Sequence, residues 1–331
     1  MSMTIRAYAP ASIGNFAAGF DLMGAALAPL DGSLWGDVVS AKVASETILH
    51  TTGPYAHLMP PDPSQNLVLR TFSFVKGALV SKGVPCPEMA FTLEKNLPRS
   101  SGLGSSASSI VATLVACQVL LGEPFTRSEL LHLAGRAESL VSGSVHLDNV
   151  APSLHGGLLL LVPGEDGSSK PRALPWPAEL VIAVVHPHCE LTTERARDVM
   201  PEMLSMPEVL SFAQNLAAFV HALHTRDQEI FVRCLRDVLA EPRRADLVPG
   251  FRAAQKAAMQ AGALGCTLSG SGPSVFAVID GNEGNEGNES HEGTEHGEEI
   301  VAAIQAAFKA VGLASEARLC GVDPLGARVL P

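Results

Sequence analysis

Apolar and polar positions alternate along 4–12 (TIRAYAPAS), and 36–44 (GDVVSAKVA) and 88–98 (EMAFTLEKNLP) have the same strand character. Between the last two, 66–83 places Leu67, Phe74, Val75 and Leu79 at helical spacing, with Gly83 as a stop. The stretch 109–121 is apolar nearly all round, the mark of a buried helix. At 126–143 a helix opens on a capping box, Thr126 to Glu129. Buried strands are predicted at 156–163 (GGLLLLVP) and 179–187 (ELVIAVVHP). Helices are predicted near 193–200, 206–223, 226–240 and 249–262. A Gly/Ser turn then runs into a strand at 267–280. The helix at 298–312 carries Ile300, Ile304, Phe308 and Val311 on one face, and 316–324 suits a closing strand. This interleaving lacks a regular βαβ rhythm and predicts an α+β fold over a doubly wound sheet. The polar, proline-bearing segment 164–177 is the candidate boundary between domains at 1–165 and 172–331.

Segment 282–299 (NEGNEGNESHEGTEHGEE) stands apart. Glutamate recurs every third residue, a period that fits neither helix nor strand, and there is nothing apolar to bury. A disordered acidic insert is predicted there. It carries 7 of the 34 acidic residues, so the net charge of −11 overstates the acidity of the rest of the 331-residue chain. The balance still argues against a broad nucleic-acid or anionic-membrane surface. Six scattered cysteines with no CxxC pair read as reduced core thiols. The chain shows no secretory leader and no run of about 18 apolar residues, so a cytoplasmic protein is predicted.

Chemistry concentrates in four places. The segment 97–109 (LPRSSGLGSSASS) is almost all glycine and serine and abuts the buried helix. The lysine that a mononucleotide P-loop needs is absent after its glycines. Small residues nevertheless let backbone N–H groups converge on an anion, and the helix adds its positive end. A flexible linker is the other reading, though a linker needs no buried helix behind it. Glu138 shares a helix face with Leu131, Ala134 and Val141, where a carboxylate is costly unless compensated. A partner arginine, partial exposure, or Mg²⁺ with Ser106 as hydroxyl co-ligand would each account for it. The run 142–157 gathers His146, Asp148 and Asn149, as a site or as a surface turn, and 12–21 (SIGNFAAGFD) holds Asn15 and Asp21 in similar company.

Three segments in order resemble the signature motifs of the GHMP small-molecule kinases: APASIGNFAAGFDLMGAAL, LPRSSGLGSSASS and LGCTLSGSGPSVFAV. SGSVHLDNVAP, LTTERARDVMP and AEPRRADLVPGF are similar to the homoserine kinase branch of that family. The resemblance implies two domains, one S5 domain 2-like and one ferredoxin-like. It implies ATP and Mg²⁺ as cofactors, and phosphorylation of the L-homoserine hydroxyl on the threonine route. The alternatives are another alcohol within the family, or a non-catalytic nucleotide-binding regulator. Pro98, Ser101, Gly102, Leu103, Gly104, Ser105, Ser106 and Ala107 would form the phosphate loop, with Asn66 on the nucleotide. Ser106 and Glu138 would hold the metal. Asn15, Asp21, His146, Asp148, Arg197 and Arg244 would surround the amino acid, with Gly270 and Ser271 closing the site and Asn149 polarising the hydroxyl. Paired arginines suit a carboxylate and Asp21 an ammonium, although either arginine alone would most often be a solvated surface charge. L-Homoserine is the expected partner, with no nucleic acid or membrane, and a homodimer is admitted. Ala17-Ala18, Ser108 and the EPRR of 241–244 depart from the family pattern.

Overall fold

The computed structural model describes residues 3–165, 167–281 and 292–331. Its strands are β1 (Thr4–Pro10), β2 (Ser12–Gly14), β3 (Met23–Pro29), β4 (Gly36–Val43), β5 (Ile48–Thr52), β6 (Met89–Glu94) and β7 (Leu158–Pro163). They continue with β8 (Ser169–Leu174), β9 (Leu180–Pro187), β10 (Gly265–Leu268), β11 (Val275–Asp280), β12 (Ser315–Val322) and β13 (Arg328–Leu330). The first helices are α1 (Leu67–Ser81), α2 (Ser105–Leu120), α3 (Arg127–Ser142), α4 (Val150–His155) and α5 (Thr193–Asp198). The rest are α6 (Met206–Thr225), α7 (Gln228–Cys234), α8 (Glu241–Arg244), α9 (Phe251–Gln260) and α10 (Glu292–Ala310).

One sheet runs β13-β1-β4-β6-β5, antiparallel except for β5 beside β6. The alternation of β1 turns Ile5, Ala7 and Ala9 inward against α2, whose Ile110, Val111, Leu114 and Cys117 are all fully buried. Helices α1, α3 and α4 complete this core. The second sheet runs β10-β11-β9-β12-β3-β7-β8, with β2 paired to β3. On β9, Ile182 and Val184 face a core that includes Phe219 of α6 and Phe231 of α7. The intervening Ala183 and Val185 join the core that holds α9 and α10. Period-2 alternation on one strand thus supplies two helix layers.

The boundary segment 164–177 contains β8, an edge strand antiparallel to β7, and the second sheet draws strands from both halves of the chain. The acidic insert expected at 282–299 lies outside the described residues as far as 291, whereas 292–299 open α10. The helix expected at 226–240 stops at Cys234. Beyond it the half-buried Asp237 carboxylate accepts from the N–H groups of Leu239, Ala240 and Glu241 at 2.8, 2.7 and 3.1 Å, a local turn that replaces helix continuation.

Candidate active site

The glycines of 97–109 answer close approaches. Gly104 caps α2 in the left-handed region (φ 62°), and a Cβ there would stand 2.0 Å from Ser12 Oγ. A Cβ on Gly102 (φ 77°) would stand 2.3 Å from the Ser269 carbonyl. The turn of 269–274 locks onto this loop, with Ser269 Oγ donating to the Gly102 carbonyl (2.5 Å) and the Ser274 N–H to that of Ser101 (3.1 Å).

A cavity of about 710 Å³ opens over the N-terminus of α2. Ser101, Gly102, Gly104, Ser105 and Ser106 form its floor. Asn66, Glu138 and Asn149 stand on its walls, with Gly270 and Ser271 from the second sheet's turn. Pro98, Leu103 and Ala107 are buried and stay out of the wall. Asn66 caps α1, its Oδ1 accepting from the Val68 N–H at 3.0 Å. Arg99 is exposed and donates to the Leu58 carbonyl.

Lys95 is a wall residue that the motifs did not flag. Its buried Nζ pairs with Asp37 and donates to the Ser105 carbonyl (2.9 Å) and Ser109 Oγ (3.1 Å), inside the first turn of α2. Asp37 Oδ1 accepts from the Asn96 and Leu97 N–H groups at 2.8 and 3.2 Å, tying β4 to the loop. Burial pulls the Lys95 ammonium below its ordinary value and the Asp37 charge pulls it back. The signal was present in the sequence: Met89, Phe91, Leu93 and Lys95 share one parity, so Lys95 extends a buried face.

Ser106 Oγ donates to Glu138 Oε1 at 2.8 Å, across α2 and α3. Burial pushes the Glu138 carboxyl up to about 7, opposed by the Ser106 hydrogen bond. A hydroxyl beside a carboxylate is a hard oxygen donor set, and a divalent cation would offset the desolvation that disfavours its charge. Among the described residues no cluster of three or more His, Cys, Asp or Glu offers a self-sufficient cage. That matches a cation held by one carboxylate and the phosphates of its ligand.

Beyond the loop the remaining candidates converge from four segments. Arg197 of α5 donates through Nη2 to Asp21 Oδ1 (2.9 Å) and lies 3.2 Å from His146 Nδ1. Its buried Nε has no hydrogen-bond partner. The Asn15 N–H donates to Asp148 Oδ2 at 3.2 Å, and Asn15 Nδ2 to the Gly270 carbonyl at 3.1 Å. Arg244 is 3% exposed; Nε donates to the Ala196 carbonyl (3.0 Å) and Nη1 to that of Gly270 (3.2 Å), with Phe20 stacked at 5.3 Å. No carboxylate among the described residues lies within hydrogen-bond reach of it; burial lowers its pKa, opposed from further off by Asp237, Asp21 and Asp148. Burial, with Asp21 and Glu138 nearby, raises the Asp148 carboxyl to about 7. Desolvation lowers His146, opposed by Asp21 and reinforced by Arg197 and Arg244. The segment that turns around these groups is strained: Asn15, Phe16, Ala17 and Asp21 all have positive φ. Its anchor is Phe16, stacked on Phe276 at 5.3 Å and edge-on to Trp176 at 5.3 Å.

The pattern of the GHMP kinases N terminal domain matches residues 66–157, and that of the GHMP kinases C terminal matches 219–310. The homoserine kinase from Cytophaga hutchinsonii is 33% identical, over 99% of this chain and 97% of its own, with a TM-score of 0.84. This chain belongs to the GHMP kinases. As a GHMP kinase it is a small-molecule kinase with ATP as phosphate donor, on a two-domain α+β fold. Phosphomevalonate kinase from Streptococcus pneumoniae shares that fold at 14% identity (TM-score 0.64, 96% of this chain and 99% of that one). Galactokinase from Lactococcus lactis does so at 15% (0.66, 99% and 95%). No helix among the described residues of this GHMP kinase is long and apolar enough to cross a membrane.

Proposed function

We propose that this kinase transfers the γ-phosphoryl group of ATP to the side-chain hydroxyl of L-homoserine, giving O-phospho-L-homoserine and ADP. The observation that carries the reading is Arg244, a buried guanidinium whose hydrogen bonds among the described residues go to the carbonyls of Ala196 and Gly270, with no carboxylate in direct contact. A buried cation without a carboxylate partner calls for an anionic ligand. Arg197, with a free buried N–H, stands beside it, and Asp21 and Asp148 supply the acids that an ammonium group needs. A zwitterionic amino acid satisfies both signs at once. The 33% identity to the homoserine kinase from Cytophaga hutchinsonii supports the same choice.

The chain's own groups then divide the work. Backbone N–H groups of 102–106 and the α2 terminus bind the phosphates. Ser106 and Glu138 would hold Mg²⁺, which when bound neutralises charge on the phosphoryl oxygens. Asn149, on the wall between loop and amino-acid cluster, polarises the acceptor hydroxyl, and positioning supplies much of the barrier reduction. All six cysteines are free thiols, which fits a cytoplasmic enzyme.

The test is ADP release by the purified protein with L-homoserine, L-serine, L-threonine or mevalonate. Homoserine is expected to give the highest kcat/KM, by about 100-fold or more over serine, whose hydroxyl is one methylene short. Preferred turnover of mevalonate would assign a different alcohol. Absence of ADP release with all four would favour a regulatory binding protein.

A further inference from the structure

We propose that Ser12 is a positioning residue for the transfer step, acting through Asn149; this rests on the kinase reading above. Ser12 is fully buried in β2 and is not part of the cavity wall. Its N–H donates to the Leu103 carbonyl in the phosphate loop at 3.1 Å. Its Oγ donates to Asn149 Oδ1 at 2.9 Å. At the other end of that carboxamide, Nδ2 faces Asp148 Oδ2 at 3.4 Å, an oxygen that already accepts from the Asn15 N–H. The reversed amide would set its carbonyl oxygen against the carboxylate oxygen, so Asp148 chooses the orientation, and the Ser12 hydroxyl, able to donate or accept, holds the carboxamide in place.

The glycines flanking the carboxamide show how closely it is held. A Cβ on Gly14 would lie 2.4 Å from Asn149 Nδ2, and one on Gly104 would lie 3.0 Å from Oδ1 and 2.0 Å from Ser12 Oγ. Ser12 therefore joins the phosphate loop, through its backbone, to the residue that meets the acceptor, through its hydroxyl. Without that hydroxyl the Asn149 amide keeps one weak anchor, the 3.4 Å contact to Asp148, and is free to shift away from its place beside the phosphate loop.

The experiment is a double-mutant cycle of Ser12→Ala and Asn149→Ala with Ser12→Thr as the variant that keeps a hydroxyl. Kinetics are measured with ATP and whichever alcohol the enzyme turns over best. Ser12→Ala is expected to lower kcat about 10-fold, the effect of one lost hydrogen bond to a working group, with both KM values within about 3-fold. Ser12→Thr recovers most of kcat. In the Asn149→Ala background Ser12→Ala changes kcat by less than about 2-fold, the non-additivity of residues acting as a unit. Independent, multiplying effects in the double variant, or a loss expressed mainly in the KM for ATP, would overturn the proposal.

Failure of the homoserine reading shows up separately, as turnover of another alcohol, and the cycle still reads Ser12 there. If no alcohol turns over, the side-chain amide of Asn149 is read by nitrogen-15 NMR. Its two protons are expected to exchange slowly with solvent in the wild type and rapidly in Ser12→Ala. Equal exchange in both proteins rejects the link, and if Ser12→Ala does not fold, Ser12→Cys, near in volume but a weak donor, takes its place in each comparison.

Discussion

Arg244 reaches two carbonyls, Ala196 and Gly270, through two different nitrogens of one planar group, which lysine cannot reproduce. Arg244→Lys is therefore expected to raise the KM for homoserine by about 10- to 100-fold with a smaller change in kcat, checked by steady-state kinetics. An unchanged KM would remove the carboxylate assignment. Gly104 is constrained twice, by its φ of 62° and by Ser12 Oγ at 2.0 Å from the missing Cβ. Gly104→Ala should lower stability by at least about 1–2 kcal/mol, read from the urea midpoint, and raise the KM for ATP. At this scale the sequence disclosed charge and smallness but not partners. The partnership of Ser106 with Glu138 was legible because the one opens a helix at the loop and the other sits on a packing face. The Asp37–Lys95 pair joins residues 58 apart, on β4 and just past the end of β6, and belongs to no glycine-rich motif, although period-2 spacing puts Lys95 on the buried side. The carbonyl partners of Arg244 come from segments far apart in the chain and leave no local trace.

Among elements, α3 has the clearest division between folding and function. Its capping box is complete: the Thr126 hydroxyl accepts from the Glu129 N–H at 3.2 Å and Glu129 Oε2 accepts from the Thr126 N–H at 2.7 Å. Glu138 lies three turns further on. Thr126→Ala should cost about 1 kcal/mol in urea unfolding while leaving kcat and both KM values unchanged at saturating protein stability. A fall in kcat would mean that the cap also sets Glu138. The strands of clear alternation and the capped helices were legible. β3 (MGAALAP) was not, because it is buried on both faces and shows no alternation. β8 (SKPRAL) has no strand signature in the sequence because it is a polar edge strand with a proline. α7 ends before the apolar pattern does because Asp237 supplies a side-chain acceptor that competes with the helix.

At the scale of the whole molecule, one contact within the second sheet gives the protein a pH dependence. His186, 7% exposed on β9, lies with Nδ1 3.0 Å from Ser274 Oγ behind the turn that clasps the phosphate loop. Burial, helped by His188 and opposed by Glu316, pulls its pKa from 6.5 down to about 4. The unfolded chain binds that proton near pH 6.5 and the folded chain only near 4, so the unfolded state holds more protons between them. The contribution of His186 is complete above about 6.5 and is lost as the pH drops, about 2 kcal/mol between pH 7 and 5. His186→Asn should flatten that stretch of the urea-derived stability profile. An unaltered slope would mean that other groups set it. The α+β class was legible at this scale, but not the way in which β12 and β13 return to the two sheets to pair with β3 and β1. Such long-range pairing depends on register across hundreds of residues and has no local signature.

The central claim is the atom that receives the phosphoryl group, and proton-coupled phosphorus-31 NMR of the product made from ATP and L-homoserine tests it most directly. Transfer to the side-chain hydroxyl places phosphorus beside a methylene, so the account predicts a phosphomonoester triplet growing in step with ADP. An uncoupled acyl-phosphate singlet, or no new resonance while another alcohol is phosphorylated, would contradict it.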